Sequence, residues 1–313
     1  MNASVHEGEQ AVQRRAGEGR EGWGSPMFTA DIPPGFAAFM HQQRLVAIAV
    51  PDDEGAVWCT VLTGDQGFVD ATDDRTIVIH ALPPEGDPVR KAFDSRATSR
   101  DLGMVVMSPD TSRRVKVNGV ARRDRSRLLL RTEQVLGNCP KYLQVRTVTG
   151  TGPGHGQTVR TGTELSVEQQ RAIALADTFF IGSFSPGHGA DANHRGGRPG
   201  FVSVTDSRSL AWPDYVGNSF YMTLGNMALN PRCGLAFMDW TTGTTVQLTG
   251  TGRIDWSRER AETLPGALRT IEFHIERIVQ IDNASPLSWT LHSYSRFSPP
   301  VPPKPSGLPE GEP

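Results

Sequence analysis

Short apolar runs broken by turn residues set the pattern of this chain. Residues 45–50 are apolar throughout and 57–62 nearly so, and Asp, Glu and Gly lie between and after them. That is the signature of short strands joined by tight turns. The stretches 76–80, 102–107 and the alternating 114–120 continue it. A helix is predicted over 167–176, opened by the capping box Ser166-x-x-Gln169, and a shorter one over 219–225, stopped by Asn230-Pro231. Further strands are predicted at 179–184, 200–204, 210–212, 233–238 and 245–250. Five or six short strands with one or two small helices, occurring twice, predict a mainly β chain of two small antiparallel barrels.

The pattern repeats because the sequence does. Gly67-Phe-Val-Asp-Ala-Thr-Asp-Asp-Arg75 matches Gly200-Phe-Val-Ser-Val-Thr-Asp-Ser-Arg208 at an offset of 133. Val115 to Asp124 matches Val246 to Asp255 at 131, and Gly103 and Met107 pair with Gly234 and Met238 at that same offset. Three matches in order, spaced far beyond a solenoid period, predict a duplicated domain. The chain is accordingly divided into a flexible segment 1–29, a first lobe 30–148, a Gly- and Thr-rich linker 149–163, a second lobe 164–297 and a proline-rich tail 298–313.

Composition narrows the partners. A formal net charge of −2 over 313 residues gives no reason to expect nucleic acid. The basic run 113–131 reads as a solvated outer face over inward Val115, Val117 and Leu128–Leu130. Three scattered cysteines without a CxxC pair read as reduced thiols. No apolar run nears the roughly 20 residues of a membrane span, and the polar N-terminus has no signal core, so a cytoplasmic protein is expected.

The two copies differ where chemistry is expected. The segment 185–198 reads as a Gly-rich loop whose amides approach an anion, with Arg198 as a phosphate ligand and Arg195 either a second one or a residue facing water. The first copy has Asp65 in place of Arg198 and three carboxylates, Asp52, Asp53 and Glu54, ahead of Trp58. His188, Asp191 and His194 read either as metal ligands or as polar loop residues, and the absence of fixed helical spacing or a cysteine favours the second. Trp212, Asp214, Asn218 and Ser219 bring aromatic, acceptor and donor groups into one loop, although Trp212 by itself reads more readily as core.

The residues Arg198-Pro-Gly-Phe-Val-Ser-Val-Thr-Asp206, Leu210-Ala-Trp-Pro-Asp-Tyr215, Asn230-Pro-Arg-Cys-Gly-Leu-Ala-Phe237 and Val246-Gln-Leu-Thr-Gly250 resemble the FMN-binding split barrels of the pyridoxamine-5′-phosphate-oxidase-like family. The resemblance spans about residues 30–295. It implies tandem split β-barrels with FMN as cofactor, its phosphate on Arg198, Asp214, Asn218 and Ser219, and Gln247 close to the flavin. Where the oxidases carry a Ser-Arg-Lys run, this chain has Asn218-Ser219-Phe220, so Arg195, or Lys141 from the first lobe, is expected to compensate. Family members pair two barrels around flavin, and the duplication implies the same pairing within one chain, with Lys141 and Tyr142 closing over the cofactor. The activity implied is an FMN-dependent oxidoreductase acting on a small molecule with a nicotinamide or other electron donor, as a monomer or homodimer. No catalytic residue stands out. The alternatives are a haem- or deazaflavin-binding barrel, with His188 or His194 as a haem ligand, and a non-catalytic interaction module.

Overall fold

The computed structural model describes residues 5–94, 99–151 and 156–301. The chain enters through helix α1 (Glu7–Arg15), a 3-10 turn (Ser25–Met27) and α2 (Pro34–His41). Lobe one follows as β1 (Leu45–Pro51), β2 (Val57–Thr63), β3 (Val69–Ala71), β4 (Thr76–Ile79), α3 (Pro88–Ala92), β5 (Ser99–Ser108), β6 (Arg113–Asp124) and β7 (Arg127–Asn138). Then β8 (Val145–Thr151), β9 (Thr158–Gly162) and α4 (Val167–Leu175) lead into lobe two. It comprises β10 (Thr178–Ser185), β11 (Gly189–Gly196), β12 (Ser203–Asp206), β13 (Ser209–Tyr215), α5 (Met222–Leu229), β14 (Arg232–Met238), β15 (Thr245–Asp255), α6 (Arg258–Glu262) and β16 (Ala267–Asp282), with β17 (Leu287–Ser293) last.

The two sheets run β2-β1-β5-β6-β7-β4-β3 and β11-β10-β14-β15-β16-β13-β12. Substituting β10 for β1 and onward turns one order into the other, and the pairing within each is antiparallel. The fold is therefore mainly β with small helices, two split β-barrels in tandem. Local devices repeat with the topology. Gly67 and Gly200 both have left-handed backbone, at φ 90° and 92°, turning Phe68 and Phe201 into their cores. Gly119 and Gly250 sit at matching register shifts, where a Cβ would lie 2.0 Å from Arg131 O and 1.9 Å from His274 O.

The uninterrupted apolar run of β1 is explained by burial on two faces. Val46, Ile48 and Val50 enter the lobe-one core. Leu45, Ala47 and Ala49 enter a separate core at the seam, with Phe180, Ala192, Ala236 and Met238 of lobe two. Small residues set how closely the lobes approach. A Cβ on Gly103 would lie 2.4 Å from Ala192 N, one on its counterpart Gly234 2.4 Å from Val57 O, and one on Gly182 2.5 Å from the Cβ of Ala49. The seam thus has a pseudo-twofold arrangement.

Several expectations are corrected. The segment expected to be flexible folds over lobe two: α1 buries Glu9, Val12 and Gln13 because Gly8 and Gly225 let it lie against α5. The linker carries β9, paired with Ile278–Asp282 of β16. The 185–198 loop is mostly strand β11, since Ala190, Ala192 and His194 alternate inward. The strand expected from Gly200 begins at Ser203, after the turn. The helix expected from Ser219 begins at Met222, because Ser219 and Tyr221 have φ near 60°. The capping box of α4 forms as expected, with Ser166 Oγ accepting from Gln169 N at 3.2 Å and Gln169 Oε1 from Ser166 N at 3.0 Å. Among the described residues, no helix is long and apolar enough to cross a membrane. Most of the proline-rich tail, 302–313, lies outside the described residues.

Candidate functional site

A half-open cavity of about 110 Å³ lies where β6, the end of β7 and residues 138–142 of lobe one meet β11, the end of β13 and the start of α5. Its floor is charged. Lys116 forms an ion pair with Asp191, each side chain 2% exposed. Lys116 also reaches Met222 Sδ at 3.5 Å, and Asp191 accepts from Thr223 Oγ1 at 2.8 Å. Burial pulls the Lys116 amine down, an effect that Asp191 offsets in part.

Arg114 stands beside it. Its Nη1 donates to His194 Nδ1 at 3.1 Å and its Nη2 to Cys139 O. Burial next to Arg195 brings its guanidinium down to about 10. An arginine donating to Nδ1 leaves the imidazole proton on Nε2. Burial, with Arg114, Arg195 and Arg146 nearby, keeps His194 neutral by lowering its pKa well below the usual value. Its Nε2 has no partner, nor have Arg114 Nε and Arg195 Nε. Asp214 meets Arg269 Nε at 3.2 Å; burial raises its pKa, with Arg195 and Arg269 opposing.

Residues 138–142 form one wall. Tyr142 is held at φ 66°, packs on Tyr215 at 5.0 Å and donates its hydroxyl to Val216 O at 3.0 Å. Gly196 makes room for it, since a Cβ there would lie 2.1 Å from Tyr142 O. Among the described residues six non-glycines have left-handed backbone, and three of them, Tyr142, Ser219 and Tyr221, line this cavity. Backbone held in sparsely populated regions gathers at binding sites more often than elsewhere.

The N-terminal segment forms a roof over the 218–220 wall and lies outside the lining residues themselves. Gln13 Nε2 donates to Ser219 O at 3.3 Å, and Trp23 Nε1 to Asn218 O at 3.2 Å. Phe220 is gripped by Trp23 and Phe28, each with ring centroids 5.1 Å away. Glu9 holds the segment's turn by accepting from Ser25 N and Oγ at 2.9 and 2.8 Å.

The cavity brings together five of the eight residues expected from sequence: Lys141, Arg195, Asp214, Asn218 and Ser219. The other three lie elsewhere. Arg198 is exposed, its guanidinium 5.3 Å from the Tyr294 ring, because the tight turn after β11 carries it past the cavity. Trp212 is core, 1% exposed and packed on Phe179 and Phe273. Gln247 is buried across the seam, donating to Thr60 Oγ1 at 3.2 Å and Asp87 Oδ2 at 2.7 Å. His188, Asp191 and His194 face separate partners, His188 stacking on His6 at 4.0 Å and bonding Glu7 at 2.7 Å.

Arg114 and Lys116 correct the reading of 113–131 as a solvated face, since both are buried. The signal was the two-residue period of Arg114-Val115-Lys116-Val117-Asn118. It sets the cations opposite Val115 and Val117, on the face that in β1 carries Ala47 and Ala49 into the seam.

No family model matches this sequence, and no curated protein matches it. Solved structures with a similar fold include HupZ of Group A Streptococcus, at 15% identity over 36% of this chain and 92% of that one, TM-score 0.30. A FAD-binding protein of Mesorhizobium loti aligns at 16% identity over 40% and 97%, TM-score 0.28. The FAD binding protein of Mycobacterium smegmatis aligns at 11% over 40% and 98%, TM-score 0.26.

Proposed function

We propose that this chain is a flavoprotein in which two duplicated barrels enclose one cofactor site, and that it acts as an FMN-dependent oxidoreductase on a small molecule. The observation that carries this reading is the charge of the seam cavity. Arg114, Lys116, Arg195 and Lys141 line it with one carboxylate, Asp214, while Asp191 lies behind the lining, paired with Lys116. Cations held in a poorly hydrated site bind phosphate through charge-assisted hydrogen bonds, arginine by a two-pronged fork. Arg114 Nε, Arg195 Nε and His194 Nε2 are further buried donors without a partner on residues that line it.

On this reading the two cations missing from 218–220 are supplied by Arg114 and Lys116 of lobe one. The volume suits the phosphate end of such a ligand and is small beside the roughly 300–1,000 Å³ of whole-ligand sites. Seating the remainder requires the wall at Phe220, which Trp23 braces, to yield. Flavin supplies hydride and electron transfer when bound; the chain's own residues fix the anion, keep His194 neutral and wall the cavity with Tyr142 and Phe220.

The test is the visible spectrum of the purified protein, followed by FMN titration of the wild type and of Arg114→Met. Flavin bands, with binding at least about tenfold weaker in the variant, are expected from loss of one charge-assisted contact worth about 1.5–3 kcal/mol. A Soret band would transfer the site to haem. A colourless protein that takes up no FMN would remove the enzyme reading.

A further inference from the structure

A second cavity, of about 510 Å³, opens between α4, the end of β14, the start of β15 and the ribbon made by β8 and β17. Its floor is a buried ion pair: Arg146 Nη2 donates to Asp177 Oδ2 at 2.5 Å, with side chains 6% and 7% exposed. The Arg146 guanidinium lies 4.4 Å from the centroid of the Trp240 ring. Trp240 meets Trp289 edge to face at 5.7 Å. Trp289 N donates to Trp240 O at 2.7 Å and fixes the ribbon against that loop.

The ion pair is only half used. Arginine and carboxylate commonly share two parallel contacts, but here one is made, and Arg146 Nε and Asp177 Oδ1 have no partner. Thr178 Oγ1 and Trp289 Nε1 are also unpartnered, and all four residues line the cavity. Buried polar groups are as a rule satisfied, so four such atoms around one cavity of ligand size point to a guest.

The chemistry of that guest follows from the walls. One ion pair that keeps an unused N–H and an unused carboxylate oxygen has the donor and acceptor that a lactam edge needs, where an N–H adjoins a C=O. The partly exposed Trp240 indole, backed by the Arg146 guanidinium, offers stacking surface to a flat ring. The charges of the floor cancel, which favours an uncharged guest over an ion. We propose that this cavity binds an uncharged, flat heteroaromatic with a lactam edge, of one or two fused rings. Lobe one holds no equivalent chemistry, because Asp177, Thr178 and Trp240 correspond to Arg44, Leu45 and Pro109.

The test is isothermal titration calorimetry on the full chain with hypoxanthine, which has the lactam edge, and purine, which lacks it. Saturable binding of hypoxanthine at least tenfold tighter than purine is expected. Arg146→Met should abolish that preference, and Trp240→Leu should weaken hypoxanthine at least tenfold. Should either variant fail to show a cooperative melt, Trp240→Phe and Thr178→Val serve instead, each expected to weaken hypoxanthine several-fold. Binding should survive Arg114→Met, which separates this site from the anion cavity. No saturable heat up to millimolar hypoxanthine, equal affinity for purine, or indifference to the Trp240 substitutions would each overturn the proposal.

Discussion

Two places in this molecule share a backbone and differ in charge. Strand registers make Arg114 and Lys116 of β6 equivalent to Thr245 and Gln247 of β15, and His194 and Arg195 of β11 equivalent to Val61 and Leu62 of β2. In lobe two these positions build a cationic cavity. In lobe one the space is closed by Gln247, Thr60 and the buried Asp87, which bond one another. A repeated fold therefore does not repeat its site. The four side chains that differ decide which side of the seam can hold an anion, and two of them come from the other lobe's strand.

The largest way to break this comparison is to give β6 an uncharged side chain, as β15 has. Lys116→Met strands Asp191 without its cation. Losing one partner of a buried pair costs about 3–5 kcal/mol, so a clear fall in thermal midpoint is expected. The double variant Lys116→Met with Asp191→Leu should recover most of that stability and still fail to bind an anion. A double variant as unstable as the single would show that the pair holds the fold rather than the site.

A second test uses pH to read the lobe-one counterpart. Burial pushes the Asp87 carboxyl up to about 6, with Thr60 and Gln247 opposing. A folded pKa above the unfolded value means that folding favours the protonated acid. Its contribution is complete below about pH 4 and is lost as pH rises through about 6. The roughly two-unit shift corresponds to about 3 kcal/mol. Glu9, on the roof of lobe two, is pushed by burial up to about 7 and acts in the same sense. Denaturant midpoints should fall between pH 4 and 7, and less steeply in Asp87→Asn. A profile unchanged by that substitution would contradict the burial argument.

A smaller effect should come from the seam itself. Gly103→Ala and Gly234→Ala each force a Cβ into the facing strand, and overpacking of this kind costs about 1–3 kcal/mol. Near equality of the two losses is expected, because the contacts are pseudo-symmetric. A loss confined to one would show that the seam is not balanced.

These contrasts also show what the sequence made legible. The repeat and most strands were readable because apolar runs and glycines at bulges and turns recur at offsets of 133 and 131. Arg195, Asp214, Asn218 and Ser219 were readable as one cluster because they lie at or near lobe-two strand ends, and Lys141, from lobe one, entered only through the resemblance to paired barrels. Arg114 and Lys116 were not, because a charged residue on a strand reads as solvent-facing unless a second lobe is known to cover it. β16 was missed because its alternation slips at the register shift after Ile275 and because the buried face itself carries a charge, Arg269. The roof was missed because α1 is polar: Glu9 and Gln13 are buried by hydrogen bonds to Ser25, Ser219 and Phe220.

That roof has no lobe-one equivalent, since the repeat begins after it, and it gives the smallest of these effects on stability. Trp23→Ala removes one indole hydrogen bond to Asn218 O and the contact with Phe220, together about 1–2 kcal/mol. The cavity floor keeps its charges, so anion affinity should change little. Entry should change more, because Trp23 holds Phe220 and Asn218, which line the half-open cavity that a larger ligand must widen. Stopped-flow mixing with FMN is expected to show association several-fold faster in the variant, with dissociation faster in proportion. If both rates match wild type, the N-terminal segment braces α5 without gating the cavity, and the asymmetry between the lobes reduces to the four side chains of the seam.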